Sequence, residues 1–144
     1  MKQRGFTLLE LLVTMAIVGI LTAIAWPGYG AVVRRAQRND ARLALLGIQY
    51  AEELRYQNFH SYSDQVAGSA AQGDLGLAER SASGSYQLAV TLRDDGQRYT
   101  VSARPLPQGR QATDNTCMVL WLDETGKRGA TDADGRDTTA LCWR

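Results

Sequence analysis

GFTLLELLVTMAIVGILTAIAWP, residues 5–27, determines the architecture of this chain of 144 residues. Residues 6–26 carry one charged side chain, that of Glu10, in 21 positions. An α-helix needs about 20 apolar residues to cross the hydrocarbon core of a bilayer. We therefore predict a membrane-inserted hydrophobic helix over residues 6–33, followed by a globular domain over residues 34–144.

The flanks of the apolar run do not fit an ordinary secretory signal peptide. Such a peptide has an apolar stretch of roughly 7–15 residues followed by a small-residue cleavage site. Here the run is longer and ends in the sequence WPGY at residues 26–29. The small residue Gly5 instead precedes the run. A cut after it would remove the basic leader, residues 1–5, and leave the apolar helix as the new N-terminus.

The carboxylate of Glu10 needs an explanation, because intramembrane charges are costly and usually have a partner. One interpretation is a membrane anchor whose Glu10 lies near the interface and interacts with the positive end of the helix dipole. The other is that Glu10 pairs with a positive group from another subunit. The amino group that a cut after Gly5 would create on Phe6 is the natural candidate for that group.

Residues 5–10, GFTLLE, joined to the apolar helix resemble the N-terminal signal of type IV pilins and the related pseudopilins. The resemblance implies that a prepilin peptidase cuts after Gly5 and methylates the new N-terminal Phe6. It also implies that Glu10 supports assembly of a filament. The motif is specific, but it covers only the first quarter of the chain.

The helix is predicted to continue beyond the membrane segment, to about Tyr56. Leu43, Leu46, Tyr50 and Leu54 recur at spacings of three and four, which is typical of an amphipathic helix packed on a domain. A different, basic face carries Arg34, Arg38 and Arg42.

Gly19 and Pro27 are the predicted hinge positions of this helix. Proline removes a backbone donor and kinks a helix. Two outcomes remain open for the stretch between these residues: a static kink, or the loss of helicity in a filament that the resemblance to pilins implies.

The globular domain is predicted to be α+β. The amphipathic half-helix, residues 34–57, precedes a loop over residues 58–85 that is rich in Ser, Gly and Ala. Alternating residues predict a strand from Tyr86 and a second one around Tyr99, joined by a turn at residues 94–97. A third strand is predicted at residues 117–122 and a fourth near residues 141–143. The expected fold is that of the pilins: a long helix on a roughly four-stranded antiparallel sheet.

Cys117 and Cys142 are the two cysteines of the chain. Their spacing does not fit a zinc site. In a domain outside the inner membrane they most simply form a disulfide, which would stabilise the fold by roughly 3–4 kcal/mol. Two free thiols are the alternative. The segment around these cysteines, including TCMVLWLDETGKRGA and CWR, resembles minor pilins of the PilE type.

The loops of the domain offer residues for two kinds of ligand site. Asp132, Asp134 and Asp137 alternate around a glycine and could bind Ca²⁺, or they could form a solvated turn. DNA binding would require a basic patch with nearby aromatics. Acidic and basic residues are interleaved, however, and the chain carries 16 basic and 15 acidic side chains, so the sequence does not favour nucleic acid as a partner.

No catalytic motif is apparent: His60 is the single histidine, and no nucleophile elbow or phosphate-binding glycine loop occurs. We expect a non-enzymatic minor type IV pilin without a cofactor, which primes or joins pili for adhesion and twitching motility. Its expected partners are other major and minor pilins, the prepilin peptidase and the inner-membrane assembly machinery. Before assembly the subunit would span the inner membrane with a cytoplasmic N-terminus and a periplasmic domain, and afterwards it would lie at the cell surface. A type II secretion pseudopilin and a DNA-uptake receptor are the alternatives.

Overall fold

The computed structural model of the protein describes residues 6–144, apart from the side chains of residues 25–28. The chain divides into two compact units, Met1–Arg35 and Ala36–Arg144. Helix α1, Leu8–Phe59, is the longest element, and the prediction of a long N-terminal helix is confirmed.

Local side-chain chemistry explains where α1 begins and ends. Thr7 precedes the helix, and its hydroxyl accepts a hydrogen bond from the Glu10 amide at 3.3 Å, which satisfies one of the free N–H groups of the first turn. At the other end His60 adopts a φ of 55° and donates its amide to the Tyr56 carbonyl at 2.9 Å. A residue in the left-handed conformation at this position ends a helix, a role usually taken by glycine.

The domain face of α1 differs from the face predicted from sequence. Ala41, Leu45, Ile48 and Glu52 are buried, with exposed fractions of 0–1%. The predicted packing of Leu43, Leu46, Tyr50 and Leu54 on the domain is therefore wrong, because these side chains are 44–68% exposed. Both sets have helical periodicity. The buried set contains a small alanine and a carboxylate, so hydrophobicity alone favours the wrong face.

Four strands form one antiparallel sheet within residues 6–144, in the order β1-β2-β3-β4. Their bounds are β1, Tyr86–Arg93; β2, Arg98–Pro105; β3, Val119–Asp123; and β4, Arg128–Thr131. Alternate residues of the strands face α1 and close the core. The buried apolar residues of that core include Leu45, Ile48, Tyr86, Leu88, Tyr99, Val101, Leu120 and Leu122.

The position of the fourth strand corrects the sequence prediction. β4 follows β3 after a tight turn, whereas residues 139–142 form a short helix, α2, Thr139–Cys142. The Asp123 carboxylate organises the turn by accepting hydrogen bonds from the amides of Thr125 and Lys127, both at 3.0 Å. Gly126 in the same turn has a φ of 80°, which glycine tolerates without strain. The chain therefore reverses at once and returns as β4.

The predicted disulfide is confirmed. Cys117 and Cys142 are joined, with their Cα atoms 5.8 Å apart, and both residues are fully buried. The bond connects the segment just before β3 to the end of α2. It encloses the β3–β4 hairpin and the aspartate-rich loop in one covalent ring.

Candidate functional site

The first unit exposes its apolar side chains all round the helix. Phe6 is 84% exposed, and the remaining large apolar residues up to Ile24 are 51–77% exposed. They are Leu8, Leu9, Leu11, Leu12, Val13, Met15, Ile17, Val18, Ile20, Leu21 and Ile24. A helix that is apolar on every side is normally covered by lipid or by other helices. This segment therefore forms the first part of the candidate site, an assembly or membrane surface.

Glu10 is the polar exception on this surface. The hydroxyls of Thr14 and Thr22 donate to the carbonyls of Leu11 and Val18, both at 2.8 Å, so the helix itself satisfies them. The Glu10 carboxylate makes no hydrogen bond or ion pair with any residue in the described range. It is exposed and available to a positive group from outside the chain.

The remaining predictions for this segment concern positions that the structure describes only in part. Gly5, the predicted cleavage residue, lies outside the described residues. Gly19 lies within α1, and the side chain of Pro27 is not among those described, so the hinge stays a prediction. Judged by length and hydropathy, none of the described helices qualifies singly as a membrane span, although Leu8–Ile24 and Tyr29–Phe59 qualify when taken together.

A second exposed apolar surface lies on α1 within the second unit. We call Leu43, Leu46, Tyr50 and Leu54 the outer stripe, because these residues face away from the sheet. Gly47 lies among them, and a Cβ placed on it would meet no atom within 4 Å. The stripe therefore combines bulky apolar side chains with a position where another helix can approach closely.

A buried polar network ties the same helix to the turn that precedes β3. Arg38 donates from Nε and Nη2 to the two carboxylate oxygens of Asp114, both at 2.6 Å. Gln111 donates to Asp114 at 2.7 Å and to the Tyr86 hydroxyl at 2.8 Å. The sequence places Arg38 on a basic face of the helix but does not reveal its partner, because 76 residues separate it from Asp114.

The three aspartates of the weak calcium hypothesis have separate roles in the structure. Asp132 accepts hydrogen bonds from the amides of Asp134 and Arg136, at 2.9 and 2.8 Å. Asp134 pairs with the Arg136 guanidinium at 2.7 Å, and Asp137 accepts the Thr139 amide at 2.8 Å. Within the described part of the chain, no group of three or more His, Cys, Asp or Glu residues is placed to hold a metal ion.

The sheet surface turned away from α1 carries aromatic and basic residues. Trp121 lies directly over Gly129, because a Cβ on Gly129 would be 2.3 Å from the indole ring. Trp143 donates its indole N–H to the Gly129 carbonyl at 2.8 Å, so both tryptophans contact Gly129 of β4. Arg93 and Arg104 are exposed at opposite ends of this surface and form no ion pair with any described residue.

Comparisons with known proteins match both parts of the chain. Residues 1–26 match the family model described as a prokaryotic N-terminal methylation motif. Residues 27–121 match the model described as type IV minor pilin ComP, DNA uptake sequence receptor.

Individual relatives agree with these models. The fimbrial protein EcpC of Eikenella corrodens is 36% identical over 70% of this chain and 61% of that protein. A fimbrial protein of Moraxella nonliquefaciens is 40% identical over 65% of this chain and 56% of that protein. The chain thus spans about three fifths of the length of these curated relatives. The solved structure of the non-core minor pilin PilV of Neisseria meningitidis has a similar fold, with a TM-score of 0.52 and 17% identity over 72% of this chain and 92% of that one.

Proposed function

Since the chain belongs to the type IV pilin family, we propose that it is a minor pilin that primes or joins the assembly of type IV pili. Before assembly, the apolar segment holds the subunit in the inner membrane, with the domain on the periplasmic side. A prepilin peptidase removes residues 1–5 and methylates Phe6. The segment then leaves the lipid and packs against the equivalent segments of other pilins.

The observation that carries this proposal is the helix surface around Glu10. The large apolar side chains from Phe6 to Ile24 are exposed all round the helix, and Glu10 is a carboxylate without a partner in the described chain. The apolar side chains of the segment are buried to a similar extent in lipid and in a bundle of helices. The segment can therefore move from the membrane into a filament when an assembly machine supplies the work. An ion pair with the Phe6 amine of a neighbour would lower the cost of placing the Glu10 charge in that bundle.

The outer stripe supports the same proposal from the second unit. Its four side chains expose a contiguous apolar patch, and patches of about 300–600 Å² on monomers are often functional. Four side chains are far fewer than the roughly 20–30 residues that each partner contributes to a stable dimer interface. We therefore assign it to a contact that forms only alongside packing of the apolar segment, as in a filament.

The proposal is tested with Glu10→Gln, which keeps the shape of the side chain and removes its charge. Thr14→Val is the matched control, because Thr14 is a polar residue of the same segment whose hydroxyl bonds within the helix. We expect Glu10→Gln to accumulate normally in the membrane but to be lost from sheared pili, whereas Thr14→Val is incorporated as in the wild type. Incorporation of the Glu10→Gln protein at the wild-type level would reject the role of the charge.

The leader prediction has its own test. A bulky replacement of Gly5 should leave the full-length precursor in the membrane, visible as a larger band on a gel. Normal processing of that variant would contradict cleavage after Gly5. A pseudopilin of type II secretion shares this processing step. Secretion of exoproteins is therefore measured in a strain that lacks this gene, and a loss of secretion there would indicate a pseudopilin instead of a pilin.

DNA uptake is the second candidate function, and the match of residues 27–121 to the ComP model favours it. The exposed Arg93 and Arg104 offer cations for phosphate contacts, and such contacts make binding salt-dependent. A short DNA duplex is titrated against the full chain in detergent at low and high salt. Salt-sensitive binding that is lost in Arg93→Gln/Arg104→Gln but kept in Arg98→Gln, whose side chain already pairs with Glu124, would support a receptor. Absence of binding at low salt would remove this candidate.

A further inference from the structure

Glu52 is a buried carboxylate on the domain face of α1. Its side chain is fully buried among apolar core residues. One oxygen, Oε2, accepts a hydrogen bond from the Ser63 amide at 3.0 Å. The other oxygen, Oε1, is buried without a hydrogen-bond partner among the described residues. Leaving half of a buried carboxylate unsatisfied is costly, and the cost is far larger when the group is charged.

The groups around Glu52 do not neutralise its charge. Arg55, one turn further along α1, donates its guanidinium to the backbone carbonyls of Ser61 and Gly73. Tyr99 on β2 has a buried hydroxyl that also lacks a partner among the described residues. The charged groups that act on Glu52 are Glu53 and Arg55 on α1 and Asp64 in the following loop. Those that act on Tyr99 are Glu52 and Glu53 on α1, Tyr62 in the same loop and Glu124 in the β3–β4 turn. Arg55 is the one cation of this group.

Residues 61–77, which we call the latch segment, are attached to the domain through hydrogen bonds and through Val66 and Leu75, which lie in the hydrophobic core. The Leu75 and Leu77 amides donate to the carbonyls of Gln65 and Val66, at 3.0 and 2.9 Å, so the segment folds back on itself. The Tyr62 amide donates to the Gly96 carbonyl at 2.8 Å, which attaches the segment to the β1–β2 turn. The bond from Ser63 to Glu52 attaches it to the inner face of α1.

We propose that Glu52 is a proton-dependent latch, which holds residues 61–77 closed when its carboxyl group is neutral and loosens them when it is ionised. The neutral acid leaves no charge at the buried Oε1, while Oε2 still accepts the Ser63 amide. The ionised form keeps the bond to Ser63 but places an unpaired charge in the core. Opening of the latch segment admits water to that charge.

The pH range of the latch follows from the environment of Glu52. Burial raises its pKa to about 7 from the ordinary 4.5, although the Ser63 hydrogen bond and Arg55 act in the opposite direction. Because the pKa of Glu52 is higher when the latch segment is closed, closure is strongest below pH 4.5 and weakens as the pH rises towards 7. Above that value the closed and open states are both ionised, and the opening constant levels off.

The test is hydrogen exchange of the full chain in detergent, corrected for the intrinsic pH dependence of exchange. Between pH of about 5 and about 7.5, we expect protection of the Ser63, Gln65, Leu75 and Leu77 amides to fall on the order of 50-fold, as linkage predicts when opening fully hydrates Glu52. The amides of β2 serve as an internal reference that stays constant over this range.

Two variants assign the effect to Glu52. Glu52→Gln keeps an acceptor for Ser63 without a titrating charge, so its latch segment should be equally protected at both pH values. Asp64→Asn is the matched control, because Asp64 is an exposed carboxylate in the same segment, and it should keep the wild-type slope. The proposal is overturned if wild-type protection does not change with pH, if Glu52→Gln keeps the slope, or if Asp64→Asn abolishes it. If Glu52→Gln does not fold, the contrast within the wild-type protein between the latch segment and β2 still decides the question.

Discussion

Arg38 and Asp114 form a two-point ion pair that joins α1 to the turn before β3, with both N–O distances at 2.6 Å. Asp114 is almost completely buried, whereas Arg38 keeps a fifth of its side chain exposed. Removing one partner of such a pair leaves an uncompensated buried charge. This lowers the stability of the fold more than replacing both partners with apolar residues does. The pair therefore makes the attachment of the turn to the helix depend on a single arginine.

We expect Arg38→Met to lower the free energy of unfolding of the domain, because Asp114 would remain buried without its cation. The loss should lie near the lower end of the roughly 3–5 kcal/mol seen for buried pairs, since Arg38 is partly exposed. Urea denaturation followed by tryptophan fluorescence measures it. Arg35→Met, which removes an exposed arginine of the same helix, is the control. Equal losses in the two variants would contradict a specific role for the pair.

The β3–β4 turn should depend on pH through Asp123. Burial raises its pKa, but hydrogen bonds from the Thr125 side chain and from the amides of Thr125 and Lys127 lower it to a net value below the ordinary 3.8. The stabilisation is therefore present above pH 3.8, and it is lost as the pH falls through the lower pKa that Asp123 has in the folded protein. We expect Asp123→Asn to cost about 1 kcal/mol near neutral pH.

Urea denaturation at neutral and at strongly acidic pH checks this prediction for Asp123. The difference between Asp123→Asn and the wild type should shrink in acid, because Asp123 is then protonated in the wild type too. Asp95→Asn, at an exposed position in the β1–β2 turn, should show little difference at either pH. A cost for Asp123→Asn that is unchanged in acid would contradict an ionic origin.

Gly129→Ala should destabilise the sheet, because its Cβ would lie 2.3 Å from the Trp121 ring. Overpacking of this kind costs typically about 1–3 kcal/mol. Thermal unfolding of Gly129→Ala, of Trp121→Leu and of the double variant measures the coupling between the two residues. We expect the alanine to cost less when the tryptophan is absent. Additive costs would show that the ring is not what excludes a side chain at residue 129.

The outer stripe and the buried face of α1 should respond differently to the same substitution. Leu46→Glu is expected to leave the stability of the free subunit within about 0.5 kcal/mol, while it lowers incorporation into pili. Leu45→Glu should prevent folding, because it places a carboxylate in the core. Membrane levels and sheared pili are compared by immunoblot. Normal incorporation of Leu46→Glu would contradict a role for the stripe in assembly.

Local patterns were enough to predict much of the fold. The apolar run, the alternation from Tyr86 to Leu92 and the turn residues at 94–97 are short-range signals, and the helix and the β1–β2 hairpin agree with them. The sequence predicts the fourth strand in the wrong place, because the GKRGAT sequence around β4 has few apolar residues. Its strand conformation comes from pairing with β3, in which Trp121 opposes Gly129. Pairing between segments is not visible in the local pattern of either one.

The candidate site divides in the same way. Phe6 and Glu10 are apparent from sequence, because an apolar run and a charge within it are local facts, and hydrophobicity alone requires lipid or other helices around them. The tertiary structure alone decides three other features: the side of α1 that meets the sheet, the acid that pairs with Arg38, and the raised pKa of Glu52. Each of these depends on groups far apart in the chain, whose burial and distance arise only when the helix packs on the sheet.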